Sequence, residues 1–114
     1  VTEDQLQASI VDYVRWVLPH AVIFAVPNGG LRTKREAAKL KWTGALAGVS
    51  DLVLLACTNG ISRAYLIECK TATGRLSPEQ SAFLSDCRSM GFQTAVVRSL
   101  DDMVNALKAW GLTP

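Results

Sequence analysis

Gly48-Val49-Ser50-Asp51-Leu52-Val53-Leu54-Leu55-Ala56-Cys57-Thr58-Asn59-Gly60-Ile61-Ser62-Arg63-Ala64-Tyr65-Leu66-Ile67-Glu68-Cys69-Lys70 is the stretch on which the fold turns. Two apolar runs flank Asn59-Gly60, a pair that readily takes the left-handed backbone a two-residue type I′ hairpin turn needs. With those two at the centre of the turn, Thr58 faces Ile61, Leu55 faces Ala64, Val53 faces Leu66 and Asp51 faces Glu68. A longer loop taking in Ser62 and Arg63 would shift this register. Opposed residues share a sheet face, with Cβ atoms roughly 4.5–5.5 Å apart. Lys70 stands two residues past Glu68 and points to the same face. Two carboxylates and an ammonium therefore gather at the end of an apolar hairpin. Opposed like charges destabilise a sheet unless positive charge lies between them. A divalent cation with oxygen ligands meets that need. The competing explanation is a salt bridge from Lys70 to both carboxylates, which for a bare Glu-x-Lys is the commoner case.

The chain around this hairpin has 114 residues, a length that suits one domain over residues 1–114. Its hydrophobic content of 49% is enough for a core, with an excess that suits a covered partner surface. A net charge of +2 excludes a bulk polycation, so any nucleic-acid contact must come from local clustering. Cys57, Cys69 and Cys87 are odd in number and lack paired spacing, which argues against a zinc site or a disulfide framework. Cys57 and Cys69 fall in strand-like segments and are expected to be buried small hydrophobes. No apolar run reaches the roughly 18 residues of a membrane span, and no signal peptide is visible. A reducing cytoplasm is the expected compartment. The chain begins at Val1 rather than Met, as a trimmed chain or one cut from a longer protein would.

Before the hairpin, Thr2 and Gln5 read as a capping box. Leu6, Ile10, Tyr13, Val14 and Val17 follow at helical spacing, and Pro19 ends the helix. Glu3, in its first turn, complements the helix dipole. Ala21 to Val26 reads as a short strand, with His20 a surface residue at its boundary, and Pro27-Asn28-Gly29-Gly30 as a turn. Arg32, Lys34, Arg35, Lys39 and Lys41 then stand against one acid, Glu36. Ala37, Ala38, Leu40 and Trp42 give this segment an apolar side. For an arbitrary protein such a segment is a solvated amphipathic helix. Here it carries most of the positive excess and immediately precedes the acidic hairpin, where a phosphate backbone would need it.

After Lys70, Thr71–Gly74 forms a loop. Ser77-Pro78-Glu79-Gln80 is a strong helix start, with Ser as N-cap, Pro at the first position and Gln at the third. That helix turns Phe83, Leu84 and Cys87 inward and ends near Met90-Gly91. Thr94–Arg98 is a last strand, and Ser99 caps a final helix with Met103, Val104, Leu107 and Trp110 apolar. A helix between hairpin and last strand predicts a crossover, with Thr94–Arg98 parallel to Ala64–Cys69.

Asp, a hairpin, then Glu-x-Lys resembles the PD-(D/E)XK nuclease superfamily. Within it the whole chain is similar to the VRR-NUC domain family: Glu3, Gly48-Val49-Ser50-Asp51-Leu52, Ile67-Glu68-Cys69-Lys70 and Gly74-Arg75-Leu76-Ser77-Pro78-Glu79-Gln80 follow that family's order. Ser50 departs from it, since the superfamily has Pro there. The position shapes a turn and supplies no ligand. The resemblance implies an α/β, restriction-endonuclease-like mixed β-sheet flanked by helices, in the order α-β-α-β-β-α-β-α. It implies a metal-dependent endonuclease acting on branched or duplex DNA, similar to Holliday junction resolvases and homodimeric, in the cytoplasm of a bacterium or a phage-infected cell. Asp51, Glu68, Lys70 and Gln80 would then be catalytic. Glu3, Asp51, Glu68 and the Cys69 backbone carbonyl would hold Mg²⁺, with Mn²⁺ as a substitute. Arg32, Lys34, Arg35, Lys39, Lys41 and Arg75 would contact DNA. Lys70 would orient or deprotonate water, or stabilise the phosphorane; beside two carboxylates it should stay charged unless metal binds, which favours the charge-stabilising part over that of a base. A DNA-binding module that keeps the fold without catalysis is the alternative.

Overall fold

The computed structural model describes residues 1–27 and 33–114. Arg32 and the expected turn residues at 28–30 lie outside the described residues. The elements are α1 (Glu3–Val17), β1 (Val22–Ala25), α2 (Lys34–Trp42), β2 (Leu52–Thr58), β3 (Ile61–Cys69), α3 (Pro78–Ser89), β4 (Gln93–Val97) and α4 (Leu100–Ala109).

The hairpin forms in the expected register: Thr58 pairs with Ile61, Leu55 with Ala64 and Val53 with Leu66. Asn59 and Gly60 both take positive φ, of 54° and 78°, as a type I′ turn demands. β1 adds antiparallel to β2, and β4 adds parallel to β3 after the α3 crossover, giving the strand order β1-β2-β3-β4.

Helices cover both faces, because alternate residues of the central strands are apolar on both sides. On one face, Leu6, Ile10 and Val14 of α1 and Met103 and Leu107 of α4 pack with Ile23, Leu52, Leu54, Ile67 and Val97. Tyr65 stacks beside Trp110 there, ring centroids 4.6 Å apart. On the other face, Leu84 and Cys87 of α3 pack with Leu66, Val53 and Val96. α3 stops short of the far half of the hairpin. That corrects one expectation: Cys69 is buried, but Cys57 is exposed, because it sits beyond the reach of α3 on that face. Leu55, on the same face, is exposed for the same reason.

α2 differs from the other helices. Its N-cap Thr33 accepts from the Glu36 N–H, yet none of its residues is buried, and Trp42 is 87% exposed. The apolar side expected of this segment faces no core.

Candidate active site

At the end of the sheet remote from the hairpin turn, the β2–β3 ladder closes with Leu52 opposite Ile67. Asp51 therefore does not extend the ladder opposite Glu68 as the register alone predicts. The chain bends there, the Asp51 carbonyl accepts from the Val26 N–H, and Asp51 Oδ2 accepts from the Cys69 N–H at 2.7 Å. One carboxylate oxygen is thus fixed by backbone and the acid is held beside β3. Ser50, in the position where proline was expected, is buried, and its hydroxyl donates to the Leu52 carbonyl at 3.2 Å. A short polar side chain stiffens this bend by hydrogen bonding where a ring would do so sterically.

Glu68 is 1% exposed. Its Oε1 accepts from Gln80 Nε2 at 3.2 Å. Its Oε2 is buried and has no hydrogen-bond partner among the described residues. Burial, together with a hydrogen bond and repulsion from the adjacent Asp51 carboxylate, pushes its pKa from 4.5 up to about 8, with Lys70 pulling down and Glu3 adding to the rise. Two carboxylates side by side can bond to one another only through a proton or a cation.

Lys70 is 8% exposed, and among the described residues its side chain makes no ion pair or hydrogen bond. The salt-bridge explanation for Glu-x-Lys is therefore set aside. Lys70 acts on Glu68 through space, and its backbone N–H donates to the Val97 carbonyl, fixing this end of β3 to β4. Along a strand, a residue's N–H and C=O point to one side and those of the next residue to the other. The Cys69 N–H points to Asp51, so its carbonyl does too. The Cys69 thiol points into the apolar core, where burial and then the neighbouring carboxylates push it up to about 12.

Gln80 does two things at once. Its Oε1 accepts from the Ser77 N–H at 2.8 Å and its N–H donates to Ser77 Oγ at 3.1 Å, completing the capping box at the start of α3. Its Nε2 is then aimed at Glu68. A reading that makes it a cap alone is thus incomplete. Ser77→Ala should cost about 1 kcal/mol of stability through the cap. Gln80→Ala should cost a similar amount and also push Glu68 further upward by removing its donor. Thermal melts of both variants, with Glu68 titrated by carboxyl NMR, separate the two roles.

Glu3, Ala47, Gly48, Val49, Asp51, Ser77, Glu79 and Gln80 line a cleft of about 340 Å³; it takes in Asp51 and Gln80, while Glu68 and Lys70 lie behind its lining. Glu3 lies in the first turn of α1 and faces the cleft from the opposite helix layer. Gly48, at φ +86°, lies against the Glu79 and Gln80 backbone so closely that a Cβ would sit 2.4 Å from the Glu79 carbonyl carbon. Among the described residues no three His, Cys, Asp or Glu side chains cluster tightly enough to hold an ion unaided. The donors present suit an ion that keeps part of its water shell, as Mg²⁺ does with one or two carboxylates. The orphaned Glu68 Oε2, beside Asp51, is the unmet acceptor that such a cation would satisfy.

Arg75 is exposed on the loop entering α3, and Lys34, Arg35, Lys39 and Lys41 are exposed on α2. A larger hollow, about 610 Å³, lies elsewhere, lined by His20, Cys57, Arg63, Met90 and Phe92 among others; it includes neither carboxylate. Among the described residues no helix is long and apolar enough to cross a membrane. One contributor escaped the sequence reading: Arg98, whose Nη1 donates to the carbonyls of Thr71 at 2.7 Å and Gly74 at 2.6 Å. Its place just after a strand gave no sign of this, since its partners are backbone atoms 24 or more residues away.

A mixed sheet between helix layers, carrying an acid at a bend and Glu-x-Lys at the adjoining strand end, is a nuclease-like α/β fold. A solved structure of a VRR_NUC domain protein superposes with a TM-score of 0.76 at 21% identity, covering 99% of this chain and 91% of the other. No curated protein matches the chain significantly. The model of the VRR-NUC domain matches residues 2–101, and the chain belongs to that family.

Proposed function

We propose that this nuclease-family domain is a metal-dependent DNA endonuclease, selective for branched DNA such as a four-way junction, and acts as a homodimer. The observation that carries the reading is the buried Glu68 Oε2, next to Asp51 and without a hydrogen-bond partner among the described residues. A cation there would offset the burial and the repulsion from Asp51 that together favour a proton on Glu68. Asp51, Glu68 and the Cys69 carbonyl would hold Mg²⁺ or Mn²⁺, with Glu3 bound directly or through water. The ion, when bound, supplies Lewis acidity toward phosphate oxygen and water. Gln80 steadies Glu68 by donating to its Oε1, which leaves Oε2 for the ion. Lys70, unpaired among the described residues, is available to offset the charge that develops on the phosphorane. Two copies would set two such sites on opposing strands.

A panel of junction, flap, splayed-arm and duplex DNA, with Mg²⁺, Mn²⁺ or chelator, tests the reading. Junction cleavage is expected with either ion and none with chelator; Asp51→Ala and Lys70→Ala should both be inactive. Salt-sensitive binding without cutting of any substrate would make the chain a binding module instead.

α2 and Arg75 would contact the DNA backbone. A helix of nine residues is marginal alone, so DNA should slow amide exchange across Lys34–Trp42. Neutralising Lys34, Arg35, Lys39 and Lys41 together should flatten the dependence of log Kd on log salt by up to roughly 3.6, at about 0.9 for each phosphate no longer neutralised. An unchanged slope would remove α2 from the interface.

A further inference from the structure

The loop from Thr71 to Gly74 joins Lys70 to the entry of α3, so its shape sets how the ammonium-bearing strand end meets the helix that carries Gln80. The loop has little of its own to hold it: the Gly74 N–H donates to the Thr71 carbonyl at 3.2 Å and to Thr71 Oγ1 at 3.0 Å. Gly74 also borders the Lys70 stem; a Cβ on it would lie 3.6 Å from Lys70 Cδ. The two carbonyls at the ends of this turn both point to one nitrogen, Arg98 Nη1. Arg98 is itself fixed. It follows Val97, which accepts from the Lys70 N–H, and its own N–H donates to Asp102 Oδ2 at 2.8 Å, tying it to the first turn of α4. Charge-assisted bonds of this kind are about twice as strong as neutral ones.

We propose that Arg98 is a positioning residue for the cleavage reaction: it clamps the Thr71–Gly74 turn and thereby holds Lys70 in register with Glu68 and Gln80. This rests on the nuclease reading above. Arg98 is exposed, so its replacement leaves the core intact, and the loss should fall on geometry rather than on folding. A misplaced charge-stabilising group costs rate far more than affinity.

The test uses Arg98→Ala, Thr71→Ala and the double variant. Single-turnover cleavage of the junction that the wild type cuts with Mg²⁺ should slow about 10- to 100-fold in Arg98→Ala, with KM and the salt slope unchanged. Thr71→Ala loosens the same turn by another bond, so the double variant should be slower than the wild type by much less than the product of the two single effects. Amide exchange at Gly74 should accelerate in both single variants while the melting temperature holds. A raised KM with unchanged rate would overturn the proposal in favour of a direct phosphate contact, and fully multiplicative effects would overturn it too. If the wild type cuts no DNA, the nuclease reading fails by itself. Gly74 exchange then judges the clamp, and exchange unaltered in Arg98→Ala would overturn it.

Discussion

Replacing Glu68 by Gln should stabilise the metal-free protein while abolishing its activity. The sign follows from linkage. The folded-state pKa of Glu68 is raised from 4.5 to about 8, chiefly by burial. A raised carboxyl contributes stability that is fully present below pH 4.5 and lost as pH climbs through about 8. At 1.36 kcal/mol per unit, the loss across that window is of order 5 kcal/mol. For a domain of this size that corresponds to a melting temperature lower by about 10 °C or more. Glu68→Gln has no such charge to lose. It keeps the acceptor for Gln80 and presents an amide N–H where the orphaned Oε2 faces Asp51. Its melting temperature should match the wild type near pH 4.5 and exceed it at pH 9. Differential scanning calorimetry in chelator across this range provides the check; a wild-type curve that does not fall relative to the variant contradicts the assigned burial. Added Mg²⁺ should narrow the gap by stabilising only the wild type, most strongly at high pH. Cleavage by the variant should drop on the order of 10³-fold.

Gly48→Ala is the second large effect, and it acts without touching any charged group. An alanine Cβ at this position would lie 2.4 Å from both the Glu79 carbonyl carbon and oxygen and 2.7 Å from the Gln80 nitrogen. These are backbone atoms in the first turn of α3, and they cannot swing aside as a side chain would. The φ of +86° adds strain for any L side chain. Together these should cost about 3 kcal/mol or more. Relief requires the 47–50 loop and α3 to move apart, which would pull Asp51 from Glu68 and Gln80. Gly44→Ala is the matched control: its φ is +108° but nothing lies near its Cβ. It should cost only backbone strain, about 1–2 kcal/mol, and spare activity. Urea melts and cleavage assays of both variants compare these costs. Equal losses in the two would mean that the tight approach of Gly48 to α3 has no functional consequence.

Much of this was legible in local sequence because it depends on local chemistry. Asn59-Gly60 dictates a turn whose register follows from backbone geometry alone. Thr2 with Gln5, and Ser77 with Gln80, mark helix starts, since capping bonds span three residues. Apolar spacing places Leu6, Ile10, Val14, Met103 and Leu107 in the core, and they are buried there. The order Asp51, Glu68, Lys70 puts the charged groups at one end of the hairpin without reference to any other element. Where local rules ran out, the reason lies in contacts between distant segments. The bend that takes Asp51 off the ladder and onto the Cys69 N–H depends on β1 meeting the Asp51 carbonyl. Cys57 is exposed because α3 ends where it does, a matter of crossover length rather than of strand pattern. Whether Gln80 merely caps, or also restrains Glu68, was decided by how α3 docks on β3. The Arg98 clamp needed the end of β4 placed beside the loop after β3. The sequence by itself determined the elements, their order and the identity of the charged residues, because those follow from periodicity and bonds a few residues long. Only the tertiary structure decided which carboxylate is stripped of water and left without a donor, since burial is a property of all the surrounding layers at once.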